Sequence, residues 1–180
     1  MSHVDSLIGV YEREVARTDR WNPSLARLER IWIAVYPPAQ ERQVRARMEG
    51  FHLATQQAHH SWEALDLGHD FAQWLGSQEY REAYFEDPDS LDLALDDFMD
   101  TLVERVNTAL RANPQGMVAL YSLPSLFGLL RVSALLDRLE PEREGRVLAL
   151  MPGDYENGNL RFLNARDGWN YLSVVLRVDY

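Results

Sequence analysis

The sequence predicts an α/β fold, a three-layer-like sandwich in which a central, partly parallel (mixed) sheet is flanked by helices, within one domain of 180 residues. Three observations predict it. The runs 117–123 (MVALYSL) and 146–151 (RVLALM) are almost continuously apolar, as strands covered on both faces are. Helical patterns alternate with the strand-like runs in the order β, α, β, α, β, α, β, which favours crossover connections and parallel pairing. The C-terminal part then changes to short strand-like segments around Asn157-Gly158, the mark of a hairpin edge. An α+β arrangement is the alternative.

The elements follow in order. Val4, Leu7, Ile8, Tyr11 and Val15 recur at helical spacing, so the chain opens with an amphipathic helix that the Trp21-Asn22-Pro23 loop ends. Residues 30–36 (RIWIAVY), rich in β-branched and aromatic side chains, form a strand that stops at Pro37-Pro38, where pairing cannot continue. Pro38 suits the first turn of a helix whose stripe of Val44, Met48, Phe51 and Ala58 runs to about residue 58. Residues 61–67 (SWEALDL) alternate as a second strand, and residues 71–85 give one or two short helical turns broken near Gly76. Pro88-Asp89-Ser90 offers side-chain oxygens to cap a long helix from Leu91 to about Arg111. Its buried stripe is Leu91, Leu95, Phe98, Leu102, Val106 and Leu110, which turns Asp92, Asp96, Asp97 and Asp100 outward. Asn113-Pro114-Gln115-Gly116 is a turn before the third strand, 117–123. Pro124 opens a helix with a broad apolar surface that Pro141 interrupts. The fourth strand, 146–151, ends at Pro152-Gly153, and residues 160–163 and 171–178 supply further strands.

Composition removes whole classes of chemistry. There is no cysteine, which excludes disulfides, thiolate nucleophiles and Cys-ligated zinc or iron–sulfur sites. All 18 basic residues are arginine, a pattern that coding bias explains and that excludes a Schiff-base lysine. The GxxxxGK[ST] pattern is missing, so an intact Walker-type phosphate loop is ruled out. The chain starts with polar residues and has no apolar stretch near the roughly 20 residues that span a bilayer, so it reads as soluble and cytoplasmic. The net charge of −10 is concentrated: residues 62–104 hold 13 acids against the single Arg81. That segment repels nucleic-acid phosphates and attracts basic partners, although a solvated helix face has the same composition. No direct nucleic-acid contact is expected.

Ligands of an open α/β sheet bind beyond the carboxyl ends of its strands, which places scrutiny on the loops after Tyr36, Leu123 and Met151. The last brings Asp154, Tyr155 and Glu156, and a later loop brings Asn164, Arg166, Asp167, Trp169 and Asn170. Carboxylates there suit magnesium or acid–base work; equally, Asp154 and Asp167 can cap turns or pair with Arg161 or Arg166 while Trp169 and Tyr171 pack inward. His52, His59, His60 and His69 lie within 18 residues but lack metal-ligand spacing and read as surface or cap residues. Ser122 and Ser125 flank Pro124 after a strand without a GxSxG pattern, which favours helix capping over a nucleophile. Arg131, Arg138, Arg143 and Arg146 make a basic band around the helix after Pro124, able to grip phosphate. No residue is assigned as catalytic or metal-binding, and no cofactor is expected.

The 21-residue run 152–172 (PGDYENGNLRFLNARDGWNYL) is the densest part of the chain. Together with 122–139 (SLPSLFGLLRVSALLDRL) and 146–176, it resembles the BrxB family of bacterial BREX phage-exclusion systems. The resembling features are a strand ending in Pro-Gly, the Tyr155-Glu156 step, an asparagine-rich turn and the Asp167-Gly168-Trp169-Asn170-Tyr171 block. They cover the last third; the earlier segments fit the family in length and layout. The resemblance implies a single BrxB-like domain over 1–180 and a non-enzymatic accessory or assembly subunit that contacts other BREX proteins, foremost the phosphatase-like PglZ. The acidic residues Asp92, Asp96 and Asp100, or Asp154, Tyr155, Glu156, Arg166, Asp167 and Trp169, would then supply the contact surface. Two other functions stay open: a small metal-dependent hydrolase or nuclease using Asp154, Glu156 and Asp167, and a degenerate P-loop-like nucleotide-binding module.

Overall fold

Alternation of side chains along each strand builds this molecule. The computed structural model describes residues 2–156, 159–162, 165–166 and 173–178. Strand β1 (Ile31–Tyr36) is buried at every residue. Its Trp32, Ala34 and Tyr36 enter one apolar layer, while Ile31, Ile33 and Val35 enter the other. That two-residue period is what a strand covered on both sides requires. Strands β2 (Ser61–Asp66), β3 (Gly116–Tyr121), β4 (Arg146–Glu156) and β7 (Val174–Leu176) complete a sheet ordered β2-β3-β4-β1-β7. All four of its pairings are parallel. Strands β5 (Asn159–Phe162) and β6 (Ala165–Arg166) extend β4 as an antiparallel ribbon, which makes the whole sheet mixed. The α/β sandwich read from the sequence is therefore the fold.

Helices close both faces. Helix α1 (His3–Val15), held at its start by a reciprocal Ser2–Asp5 capping box, packs Val4, Leu7, Tyr11 and Val15 on the β1 side chains of the first layer. It shares that layer with α2 (Glu41–Ala46) and α3 (Met48–Gln57), through Val44, Phe51 and Ala54. A Cβ on Gly50 would lie 2.7 Å from Ile8 Cδ1, so the missing side chain lets α3 approach α1. Tyr11 donates to the Thr55 hydroxyl at 2.6 Å, and Thr55 in turn donates to the Phe51 carbonyl. The opposite layer holds α4 (Asp70–Ser77), α6 (Leu95–Ala112) and α7 (Val132–Asp137), while α5 (Arg81–Glu86) has no buried residue. The connection from β1 runs outward to β2 over the α3 face, and those from β2 and β3 return over the α6 face. Reversing direction and face together preserves one crossover hand, as parallel sheets demand.

Four boundaries differ from the sequence reading. The helix expected over 38–58 is a 3-10 turn and two helices, interrupted at Arg47. Pro88-Asp89-Ser90 does not cap the long helix: Pro88–Ala94 is a 3-10 segment without a side-chain cap, and the Ser90 hydroxyl donates back to the Asp87 carbonyl at 2.6 Å. The long helix therefore begins at Leu95. After Pro124 only a 3-10 turn forms, and Gly128, at φ +80°, separates it from the short α7. Finally, β4 runs straight through Pro152-Gly153. Pro152 faces Tyr36 at the last register of the parallel pair, where a missing N–H costs the ladder little, and Gly153 already pairs with Phe162 in the ribbon.

Candidate functional site

The strand ends assemble two recesses along the carboxyl edge of the sheet. The first is formed by β1, β4 and the chain after β7, around a cavity of about 270 Å3 whose lining includes Tyr36, Asp154, Tyr155, Glu156 and Arg177. Tyr36 is pinned there by its own hydroxyl, which donates to Glu41 Oε2 at 2.6 Å. Burial foremost, then the Glu41 carboxylate, pushes this phenol well above the usual tyrosine range. Arg177 donates from Nη1 to the Tyr155 carbonyl at 3.2 Å, with its guanidinium carbon 5.2 Å from the Tyr155 ring centre. Tyr155 is half-buried and Leu160, its partner across the ribbon, is buried in the core. Asp154 and Glu156 fall on the other face of the strand and are exposed, with Asp154 opposite Arg161 in register. The ribbon is thus amphipathic, anchored by Leu160 and Tyr155 and charged outward.

The second recess, about 380 Å3, lies where α2 passes over the ends of β2 and β3 and is lined by Arg42, Arg45, Ala46, Asp66 and Tyr121. Arg45 Nη2 stands 3.5 Å from Asp66 Oδ2. Burial works to raise the Asp66 carboxyl, but the Ser122 hydroxyl, the Gly68 N–H and the charges of Arg45 and His69 outweigh it and hold Asp66 below the usual carboxylate range. Ser122 is buried and sits in the left-handed region at φ 61°. Ser125 aims its hydroxyl at the Ser122 carbonyl, 2.8 Å away, with the Leu67 carbonyl at 3.0 Å. Neither serine caps the helical turn with its side chain, contrary to the expectation from sequence. They close the loop that follows β3 instead.

The sequence-selected residues separate into distinct places. Asp154, Tyr155 and Glu156 line the first cavity, on a strand rather than in a loop. Arg166 lies on β6, opposite Arg161. Asn164, Asp167, Trp169, Asn170 and the Asn157-Gly158 turn lie outside the described residues. Asp92, on the 3-10 segment, and Asp96, in the first turn of α6, are exposed, whereas Asp100 accepts from Arg138 Nη2 at 2.6 Å. None of these three lines the first cavity. The histidines do not converge. His60 stacks on Trp21, ring centres 3.4 Å apart, and burial foremost pushes its imidazole below the usual value. His52 meets Glu49 and stacks on Trp62, and His59 occupies a left-handed turn. Among the described residues no group of three or more His, Cys, Asp or Glu could hold a metal ion.

The basic band is also dissolved. Arg146 is fully buried: Nε donates to the Arg20 carbonyl at 2.8 Å and the remaining nitrogens to Asn22, Arg143 and Gly145 carbonyls. Its guanidinium also lies 5.3 Å from the Trp21 ring centre, and burial foremost pushes its pKa down to about 10. Arg138 is spent on Asp100. Arg131 and Arg143 are exposed.

Three features escaped sequence reasoning. Arg177 gave no motif signal, Tyr36 read only as a strand residue, and Tyr80, Phe85 and Leu93 stand 70%, 66% and 89% exposed. A signal for the last group exists: Leu93 falls between Leu91 and Leu95 and so off the buried stripe. Among the described residues no helix is long and apolar enough to cross a membrane. Compared with family models, with curated proteins and with solved structures, the chain matches none.

Proposed function

We propose that this chain is a non-catalytic assembly subunit of a BREX-type phage-exclusion system and that it docks on other BREX proteins, foremost a PglZ-like partner. The observation that supports the reading most is the ribbon. The run that resembles the BrxB family continues β4 beyond the end of β1, buries Leu160 and half-buries Tyr155, and turns Asp154, Glu156 and Arg161 outward. A strand pair with mixed charges on its free face is suited to recognising a protein surface, where charge complementarity sets register and partner choice. Arg166, Asp167 and Trp169 belong to the same proposed contact, and Asp92, Asp96 and Asp100 to a second one. The proposal assigns no reaction, metal or nucleotide to the chain.

The test is co-expression with the PglZ-like protein and tagged purification. Asp154→Arg together with Glu156→Arg reverses the exposed face without touching Leu160. The expected outcome is loss of co-purification by tenfold or more with an unchanged melting temperature. Undiminished co-purification of the doubly reversed protein would remove the ribbon as the docking surface.

A further inference from the structure

The stretch 79–93 is an exception to the way the rest of the molecule is built. Helix α5 and the 3-10 segment Pro88–Ala94 contain no buried residue. A six-residue helix has too few internal hydrogen bonds to persist alone, and helices of globular proteins are ordinarily held by an apolar stripe turned into the core. Here three large apolar side chains stay in solvent instead: Tyr80, Phe85 and Leu93 are 70%, 66% and 89% exposed. The stretch is nevertheless fixed at its ends. Arg81 Nη1 donates to the Gly76 carbonyl at 2.8 Å, the Trp74 indole donates to Asp97 at 2.8 Å, and Leu91 and Leu95 pack against the core. It forms an arm held by the globule that offers its apolar residues to something else.

We infer that residues 79–93 are a docking arm for a partner protein whose surface surrounds an apolar socket with arginine or lysine. The inference rests on the assembly reading and names the chemistry of the partner. Around Tyr80, Phe85 and Leu93 the chain places six acids, Glu79, Glu82, Glu86, Asp87, Asp89 and Asp92, all exposed, against Arg81 alone. This charge repels nucleic-acid phosphates and anionic lipid headgroups, which removes both as occupants. It also disfavours a second copy, because a two-fold contact would set the same acidic patch against itself. What remains is a basic surface, whose cations fill the rim while apolar anchors enter the centre, the arrangement in which a few large side chains dominate binding.

The test uses the full chain and two fluorescent helical peptides of equal positive charge, one with leucines on its second face and one with serines there. Fluorescence anisotropy at physiological salt reads the affinity. The leucine peptide is expected to bind at least tenfold more tightly than the serine peptide. Phe85→Ala with Leu93→Ser should abolish that preference, Glu86→Arg with Asp89→Arg should weaken binding tenfold or more, and Leu53→Ser, at an exposed apolar residue elsewhere, should change nothing. Circular dichroism of each variant confirms that the fold is kept. Equal binding of the two peptides, an affinity insensitive to Phe85 and Leu93, or self-association abolished by those same substitutions overturns the inference. No BREX protein enters this assay, so its failure leaves the ribbon reading standing. Failure of co-purification with the PglZ-like protein, alongside intact peptide binding, counts against that reading and leaves the arm.

Discussion

Arg146 shows what a single residue contributes here. A guanidinium with no access to solvent gives its N–H groups to four backbone carbonyls, those of Arg143 and Gly145 just before β4 and those of Arg20 and Asn22 from the chain before β1. Replacing it by methionine keeps much of the bulk and removes every one of these donors, the one to the buried Gly145 carbonyl included. Arg146→Met should therefore cost about 3 kcal/mol, read from urea unfolding, and Arg146→Lys should recover only part of it because an ammonium cannot reproduce the planar fork. Two tyrosines make a second prediction. Burial drives the Tyr11 and Tyr36 phenols above their ordinary value, so both bind their protons more tightly folded than unfolded. Their contribution is whole below the unfolded value of about 10 and is lost as the pH rises beyond it. Melting temperature should fall above about pH 10, with the Tyr11 and Tyr36 share of the phenolate absorbance appearing only on unfolding; all eight tyrosines ionising in a folded protein would contradict this. At this scale the sequence was a poor guide. Arg146 stood in an arginine-rich stretch and read as part of a phosphate-gripping band, because residue type alone does not say whether a cation faces water or four carbonyls.

Elements were more legible where one period governs them. Helix α1 and the stripe of α6 lie where their spacing puts them, and β1 to β4 all begin within a residue of the expected start. Three of the four differing boundaries involve proline or glycine, whose effect depends on the structure beside them, while the break at Arg47 has neither residue. Pro152 ends nothing because β1 itself ends opposite it, whereas Gly128 divides what read as one helix. Gly116 gives a direct test of such strand contacts. It opens β3 opposite Ser61 of β2, and a Cβ there would come within 1.9 Å of the Ser61 hydroxyl and 2.8 Å of its carbonyl oxygen. Gly116→Ala should cost about 2 kcal/mol in urea unfolding, since the backbone of the edge strand has to move to admit a methyl group. A cost near zero would mean that β2 shifts freely along this edge.

For the whole molecule, two double-sided apolar strands and a βα alternation were enough to specify a sandwich with a parallel centre, because nothing else buries such strands on both faces. The carboxyl edge was legible for the same reason: parallel topology brings the strand ends together, and Asp154, Tyr155 and Glu156 stand there beside Tyr36. The docking arm was not, since spacing within a six-residue helix cannot tell which side is left open. Asp167 and Trp169, prominent in the sequence, lie outside the described residues. The central claim, that the chain works by assembly, is a statement about the company it keeps. Tagged protein purified from its native operon and weighed intact by native mass spectrometry tests it most directly. The expected result is a defined complex that contains a PglZ-like subunit; recovery of the chain as a free monomer with no BREX subunit bound would contradict it.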